Sequence, residues 1–393
     1  MHDPTKPLRI LVVVNLPWDS RLGASRVWIE LAEQWRARGH TVEKFSMSEA
    51  FPGGPPSRVM FAIRQVTFIR KAAAFVRKNG NRFDVIDALV GTLPYSRAQL
   101  GFAGVIIARS VGLYRLYDKF DATIQQRWPR PREGKLSGRI LYGFTRSRLL
   151  RASENSVRRA DLLNVPNEEE AACLRDEIGV RQPIVVQPYG FAEEKRRALV
   201  QAAESPAVRI AQQRVCFIGM WGPRKGSYDW GAIIDRVRAE VPEVKFRFLG
   251  TMVTEETVRK DLGGSSSAAV EFVSDFQPDE LPRWLADCTV GAFPSYVEGF
   301  GLAVMEQLGA GLPTVAYDTA GPRDMLGAML PELLAPPGDI EKFSVALIHV
   351  LRLDAPRYAE ISARSRAAVA GLSWSRIADE TLQAYREALA RLT

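Results

Sequence analysis

Residues 289–317, TVGAFPSYVEGFGLAVMEQLGAGLPTVAY, leave the chain little choice of fold. Residues 289–293 are apolar, β-branched at the start and stopped by Pro294, the pattern of a buried strand. From 301 to 308, Leu302, Met305 and Leu308 recur at helical spacing and share a face. Gly309 and Gly311 permit the left-handed turn that ends a helix, Pro313 cannot continue it, and residues 314–317 supply a second apolar strand. Strand, helix and strand in this order make a βαβ unit with parallel strands.

In such a unit a ligand pocket lies beyond the carboxyl ends of the strands, where the loop 295–301 must fall. Gly299 and Gly301 let a ligand approach the backbone, and N–H groups at the start of the helix, from Phe300 to Leu302, would face it with partial positive charge. Glu298 and Glu306 flank the glycines with seven residues between them. One lies in the loop and the other between one and two turns into the helix, so they can address different parts of one elongated ligand. An ionised carboxylate accepts from two hydroxyls at once, which suits a sugar at one end and a ribose at the other. On the residues alone, both glutamates read equally well as solvated helix-surface positions.

Pro294-Ser295, Glu298-Gly-Phe-Gly, Glu306, Gly309-Ala-Gly-Leu-Pro-Thr-Val-Ala and Ala320-Gly321 together resemble the signature of retaining nucleotide-sugar glycosyltransferases of the GT-B fold, family 4 (glycosyl transferases group 1) type. The resemblance spans nearly the whole chain and is strongest over 215–334. It implies an α/β protein of two Rossmann-like α/β/α domains facing a deep interdomain cleft. It implies a nucleotide-diphosphate sugar as donor substrate, transfer with retention, and neither a metal nor a cofactor. Glu298 would orient the sugar hydroxyls and Glu306 the ribose.

Other expected contacts are spread along the chain. After the apolar strand at 215–219 comes Met220-Trp221-Gly222-Pro223-Arg224-Lys225-Gly226, where glycines flank an Arg-Lys pair at a strand end. That arrangement suits a diphosphate, although two adjacent basic residues are also ordinary surface. In the resemblance Lys225 matches a phosphate-binding position, whereas Met220 stands where an arginine is expected; Arg224 or an amino-terminal arginine would supply the missing charge. Ser274, Asp275 and Phe276 end the strand at 271–276, and in the resemblance the loop after that strand helps hold the nucleobase. Gly23, in the first strand-to-helix loop, falls near the donor phosphates where relatives carry two glycines. After the strand at 105–108 relatives place a histidine, but the three histidines here are His2, His40 and His349. Arg109 occupies that neighbourhood and reads either as a donor to the sugar or leaving phosphate or as a surface arginine.

The length, 393 residues, allows two domains, each with its own core. The resemblance then implies an acceptor-binding domain over 1–190, a polar connector over 191–213, a nucleotide-sugar-binding domain over 214–372, and a helix over 373–393 that returns to the first domain. Charge is unevenly divided: residues 1–190 hold 30 Lys+Arg against 18 Asp+Glu (+12), and the remainder 23 against 27 (−4), which sums to the overall +8. Two segments carry that excess, 58–82 and 127–159, both with interleaved apolar residues. Each reads as an amphipathic helix with solvated arginines and, alternatively, as a face for an anionic membrane; for 58–82 the helix reading is favoured, and for 127–159 attraction to anionic lipid or a pyrophosphate-linked acceptor stands level with it. No zinc spacing, RNP-like motif or helix-turn-helix pattern accompanies the arginines, which argues against nucleic acid.

Cys173, Cys216 and Cys288 lack metal-ligand spacing and read as reduced thiols. The first apolar run, 10–14, is too short for a signal-peptide core, and no apolar stretch reaches the roughly 18 residues that span a bilayer. These features predict a cytoplasmic protein, and with the basic face and the resemblance the expectation is an enzyme peripheral on the inner face of the plasma membrane that glycosylates a glycan or lipid-linked glycan for surface polysaccharide. The competing reading is a catalytically silent relative that binds a partner through its basic domain. A phosphorylase-like enzyme is disfavoured because no cofactor-lysine motif is present.

Overall fold

The computed structural model describes residues 6–53, 58–128, 136–263 and 268–392. The chain divides into two compact units, one comprising Met1–Asp118, Arg130–Gly190 and Trp374–Thr393, the other Lys119–Pro129 and Phe191–Ser373.

The first unit is built on six strands, β1 (Arg9–Val13), β2 (Thr41–Phe45), β3 (Val85–Leu89), β4 (Val105–Arg109), β5 (Leu162–Val165) and β6 (Ile184–Val186). They pair in the order β2-β1-β3-β4-β5-β6, every pair parallel. Runs such as ILVV in β1 and VIIA in β4 are apolar on both faces because helices cover both, as a parallel sheet requires. Leu11, Val13, Phe68, Ile86 and Leu163 are fully buried in one core, and Phe45 stacks on Phe75 with ring centroids 4.6 Å apart. The segment expected as an amphipathic helix over 58–82 is helical over Arg58–Asn79 and closes with a 3-10 turn at Gly80–Arg82. The second expected helix is shorter, Leu136–Arg159, because Arg127 ends a separate helix, Tyr114–Arg127. The Pro-Arg-Pro-Arg loop at 129–132 lies outside the described residues.

The second unit repeats the plan with β7 (Arg214–Ile218), β8 (Lys245–Leu249), β9 (Val270–Val273), β10 (Val290–Phe293), β11 (Thr314–Tyr317) and β12 (Leu334–Ala335). Their order is β12-β11-β10-β7-β8-β9, again all parallel. From β7 the chain winds outward through β8 and β9, then crosses to β10 and winds the other way. Loops leaving the carboxyl ends of β7 and β10 therefore diverge at a topological switch point, the place where open α/β sheets bind ligands. In the first sheet the same reversal lies between β1 and β3, and the loop after β1 carries Gly23 at the start of the helix Gly23–Ala37. An aromatic core of Phe217, Trp230, Phe246 and Phe248 fixes the second sheet, with Trp230 and Phe248 centroids 4.6 Å apart.

Residues 191–213, expected as a connector, fold into two helices of the second unit, Glu193–Ala202 and Pro206–Gln212. Their polar composition hides two anchors. Leu199 is buried, and the buried guanidinium of Arg209 donates to the carbonyls of Ala310 (3.1 Å), Gly311 (3.2 Å), Leu285 (3.3 Å) and Ala286 (3.0 Å). Those carbonyls close two neighbouring helices, where a cation meets the negative end of the backbone dipole. The last helix, Trp374–Ala390, packs within the first unit against Gly23–Ala37 and β4. Among the described residues no helix is long and apolar enough to cross a membrane, and Cys173, Cys216 and Cys288 are free and buried.

Candidate functional site

Two loops meet at the switch point of the second sheet. The one after β7 runs through Gly219 to a 3-10 turn at Pro223–Lys225 and closes at Gly226, which takes the left-handed conformation (φ 75°). The one after β10 runs from Pro294 to Gly301. A side chain at Gly226 would place its Cβ 2.3 Å from the Pro294 carbonyl oxygen, so only glycine permits this approach. The loops are also stitched by hydrogen bonds: the Tyr296 N–H (2.8 Å) and the Ser295 hydroxyl (3.2 Å) both donate to the Arg224 carbonyl.

This stitching brings Lys225 against Glu298. The Lys225 ammonium donates to Glu298 Oε2, with 16% of each side chain exposed, and lies 4.7 Å from the centroid of Phe293. Burial pushes the Lys225 pKa down; Glu298 opposes that shift and Arg224 adds to it. Beyond Glu298, Gly299 and the buried Phe300 lead to Gly301, a left-handed N-cap (φ 87°) that makes no side-chain capping bond to the helix Leu302–Gly309. The N–H groups of that first turn have no intrahelical acceptor and point toward the loop. The loop is held from behind by Gly321, where a Cβ would lie 1.8 Å from the Phe300 carbonyl oxygen.

Glu306 follows on the same helix and is 3% exposed. Its Oε1 accepts from the ammonium of Lys195, on the helix Glu193–Ala202. Burial of Glu306 and partial burial of Glu298 remove the solvated-surface reading. A carboxylate held away from water keeps its charge only when it is paired, and each of these two is paired with a lysine.

Tyr296 carries the loop's second anchor. Its hydroxyl donates to Asp229 (2.5 Å), which also accepts from the Tyr317 hydroxyl (2.8 Å). Phe120 stacks on the Tyr296 ring at 5.3 Å, and the Arg127 guanidinium lies 4.7 Å from its centroid. Burial raises the pKa of Asp229, an effect the two tyrosine hydrogen bonds oppose. Asp229 stands at the N-cap of Trp230–Glu240, yet its side chain makes no capping bond and serves the tyrosines instead. No local signal marks Lys195, since an ammonium in a polar helix acquires meaning only from Glu306, 111 residues away.

The remaining expected residues are placed as follows. Ser274, Asp275 and Phe276 follow β9, two strands from the switch point; Ser274 and Asp275 are exposed, and Phe276 packs against Gly250 at the end of β8. Met220 is 51% exposed beside the loop after β7. Arg109 sits at the end of β4 in the first unit and is 1% exposed. Its Nε donates to Asp87 (2.9 Å), Nη1 to Asn164 (2.8 Å) and Nη2 to the Tyr385 hydroxyl (3.1 Å). All three nitrogens are engaged in the core, so neither the surface reading nor the sugar-donor reading describes this arrangement. Among the described residues no group of three or more His, Cys, Asp or Glu is arranged to hold a metal.

Residues 212–352, which contain both loops and the Leu302–Gly309 helix, match the model of the family described as glycosyl transferases group 1. Over that segment the chain is similar to the group 1 glycosyl transferases. Among relatives, the 2-deoxystreptamine glucosyltransferase of Streptomyces kanamyceticus is 27% identical over 219 residues, 53% of this chain and 56% of that one. The chain thus spans little more than half the length of that curated relative. The fold is GT-B, shared by the sucrose-phosphate synthase of Thermosynechococcus elongatus (TM-score 0.74, 20% identity, covering 98% of this chain and 100% of that one). Anabaena HepE in complex with UDP and glucose is also similar (TM-score 0.60, 15% identity, covering 96% and 100%). Lys225 and Glu298 at the switch point, and the buried Glu306 beyond them, all lie within the matched segment.

Proposed function

We propose that the chain transfers a sugar, with retention, from a nucleoside-diphosphate sugar to an acceptor. The observation that carries this reading is the meeting of Lys225 and Glu298 at the switch point, with buried Glu306 on the helix that follows. In the reading, the diphosphate replaces Glu298 as the partner of Lys225, Arg224 and the first-turn N–H groups of Leu302–Gly309 complete its neutralisation, Glu298 turns to the sugar hydroxyls, and Glu306 accepts from the ribose. Each polar group exchanges one partner for another, so none is left buried and unpaired. Ser274, Asp275 and Phe276 border the base.

For the acceptor we propose a glycan or lipid-linked glycan of surface polysaccharide, presented at an anionic membrane. Support comes from the +12 balance of residues 1–190 and from Met60, Phe61 and Ile63, which are exposed along Arg58–Asn79 near Arg64. A silent binding protein is the second reading, favoured by Met220 in place of a cation and by the buried state of Arg109. Titration calorimetry with UDP and GDP separates the two, followed by a panel of nucleotide sugars monitored for diphosphate release. Binding of neither diphosphate, with no release from any sugar, rejects the transferase.

A further inference from the structure

Lys195 stands in the first turn of the helix Glu193–Ala202, where the backbone dipole disfavours a cation, so helix stability does not account for it. Its ammonium reaches instead to Glu306 Oε1, with 17% of the lysine side chain and 5% of the glutamate side chain exposed. The segment that delivers it is fixed on both sides. Phe191 packs so closely on Gly309 that a Cβ there would lie 2.2 Å from its ring, one helical turn beyond Glu306. Arg196, the next residue after Lys195, donates to the carbonyls of Ala370 (3.0 Å) and Leu372 (2.6 Å). The Lys195 ammonium therefore meets Glu306 from a backbone that has little room to move.

We propose that Lys195 is a positioning residue for donor recognition, holding the Glu306 carboxylate ionised and turned so that it accepts hydrogen bonds from the ribose diol of a nucleoside diphosphate. The inference rests on the reading above, in which Glu306 meets the ribose. A neutral carboxyl accepts more weakly and turns one oxygen into a donor, and a rotated one misses the diol, whereas an ammonium on one oxygen fixes both charge and orientation. Lys195 itself does not touch the donor. It decides how strongly the site distinguishes a ribose from a deoxyribose.

The test compares UDP, GDP and the 2′-deoxy and 3′-deoxy forms of whichever binds, titrated against the wild type, Lys195→Met and Lys195→Arg. The wild type should favour the ribonucleotide by at least about tenfold over one deoxy form, because a site built to bond a hydroxyl rejects the analogue lacking it. In Lys195→Met the ribonucleotide should weaken by about tenfold or more while that deoxy form changes by less than about threefold, so that discrimination collapses, and Lys195→Arg should restore it. Should Lys195→Met fail to fold by circular dichroism, Lys195→Gln keeps the comparison. Equal weakening of both nucleotides, or unaltered discrimination, overturns the inference while leaving the donor site standing. Absence of any nucleotide binding by the wild type rejects the donor site and the inference together.

Discussion

Lys225 is asked to do two opposed things, to lie out of water and to carry a charge. Its lowered pKa follows from the first, since burial outweighs the pull of Glu298 and Arg224 adds repulsion. The folded value lies below the unfolded one, so between them the unfolded chain binds more protons and this group's contribution to stability improves as pH rises. Ligand binding runs the other way, because a diphosphate needs the ammonium. Donor affinity should fall as pH rises through that lowered value, beginning below the ordinary lysine value of about 10.4, when followed by calorimetry from about pH 7 upward. Lys225→Ala should weaken nucleoside diphosphate by about 1.5–3 kcal/mol and flatten that alkaline decline. Unchanged affinity in this variant would remove the phosphate assignment. Arg109 gives the contrasting case. Burial works against its charge, yet Asp87 and Tyr385 hold its pKa raised, and Asp87 also accepts from the Trp28 indole (2.9 Å). Arg109→Met should destabilise the first unit by about 3–5 kcal/mol in urea unfolding, because it strands a buried carboxylate. A donor-binding role would instead lower kcat/KM with stability intact.

Elements were legible in the sequence wherever their apolar pattern was local. β10, the helix Leu302–Gly309 and β11 lie within a residue or two of the expected 289–293, 301–308 and 314–317, because each announces itself by periodicity and is punctuated by glycine or proline. The helices Glu193–Ala202 and Pro206–Gln212 carry no such pattern, because their anchoring groups, Lys195 and Arg209, are charged and their partners lie far along the chain. The same blindness applied to Arg109, whose burial depends on β3, β5 and the last helix converging on it. What was readable in the site was its glycine geometry, and that is open to test. Gly226→Ala forces a β-carbon onto Pro294 at a positive φ, which should cost well over about 1 kcal/mol in stability and separate the two loops. Nucleotide affinity should fall at least about tenfold by calorimetry, even though no ligand-contacting side chain has changed.

At the scale of the whole molecule, the charge is segregated along the chain, with +12 over residues 1–190 and −4 over the rest. A field of this kind concentrates anionic surfaces near the basic part and is screened by salt. Vesicles containing an anionic lipid should co-sediment with the protein, neutral phosphatidylcholine vesicles should not, and binding should fade as ionic strength approaches about 1 M, where the screening length is only about 3 Å. Replacing Met60, Phe61 and Ile63 with serine should weaken that binding without altering nucleotide affinity. Retention of full vesicle binding in high salt would point away from an electrostatic surface.

The pairing of Arg209 and Lys195 with the Leu302–Gly309 helix has a practical side for anyone dissecting the chain. An expression clone opened at β7, where the strand pattern invites the scissors, would discard the cation beneath one acid and the clasp on the far end of its helix. A fragment intended to keep that acid and its helix anchored has to open no later than Phe191, ahead of a stretch whose composition looks expendable, and it still forgoes Phe120 and Arg127 beside Tyr296.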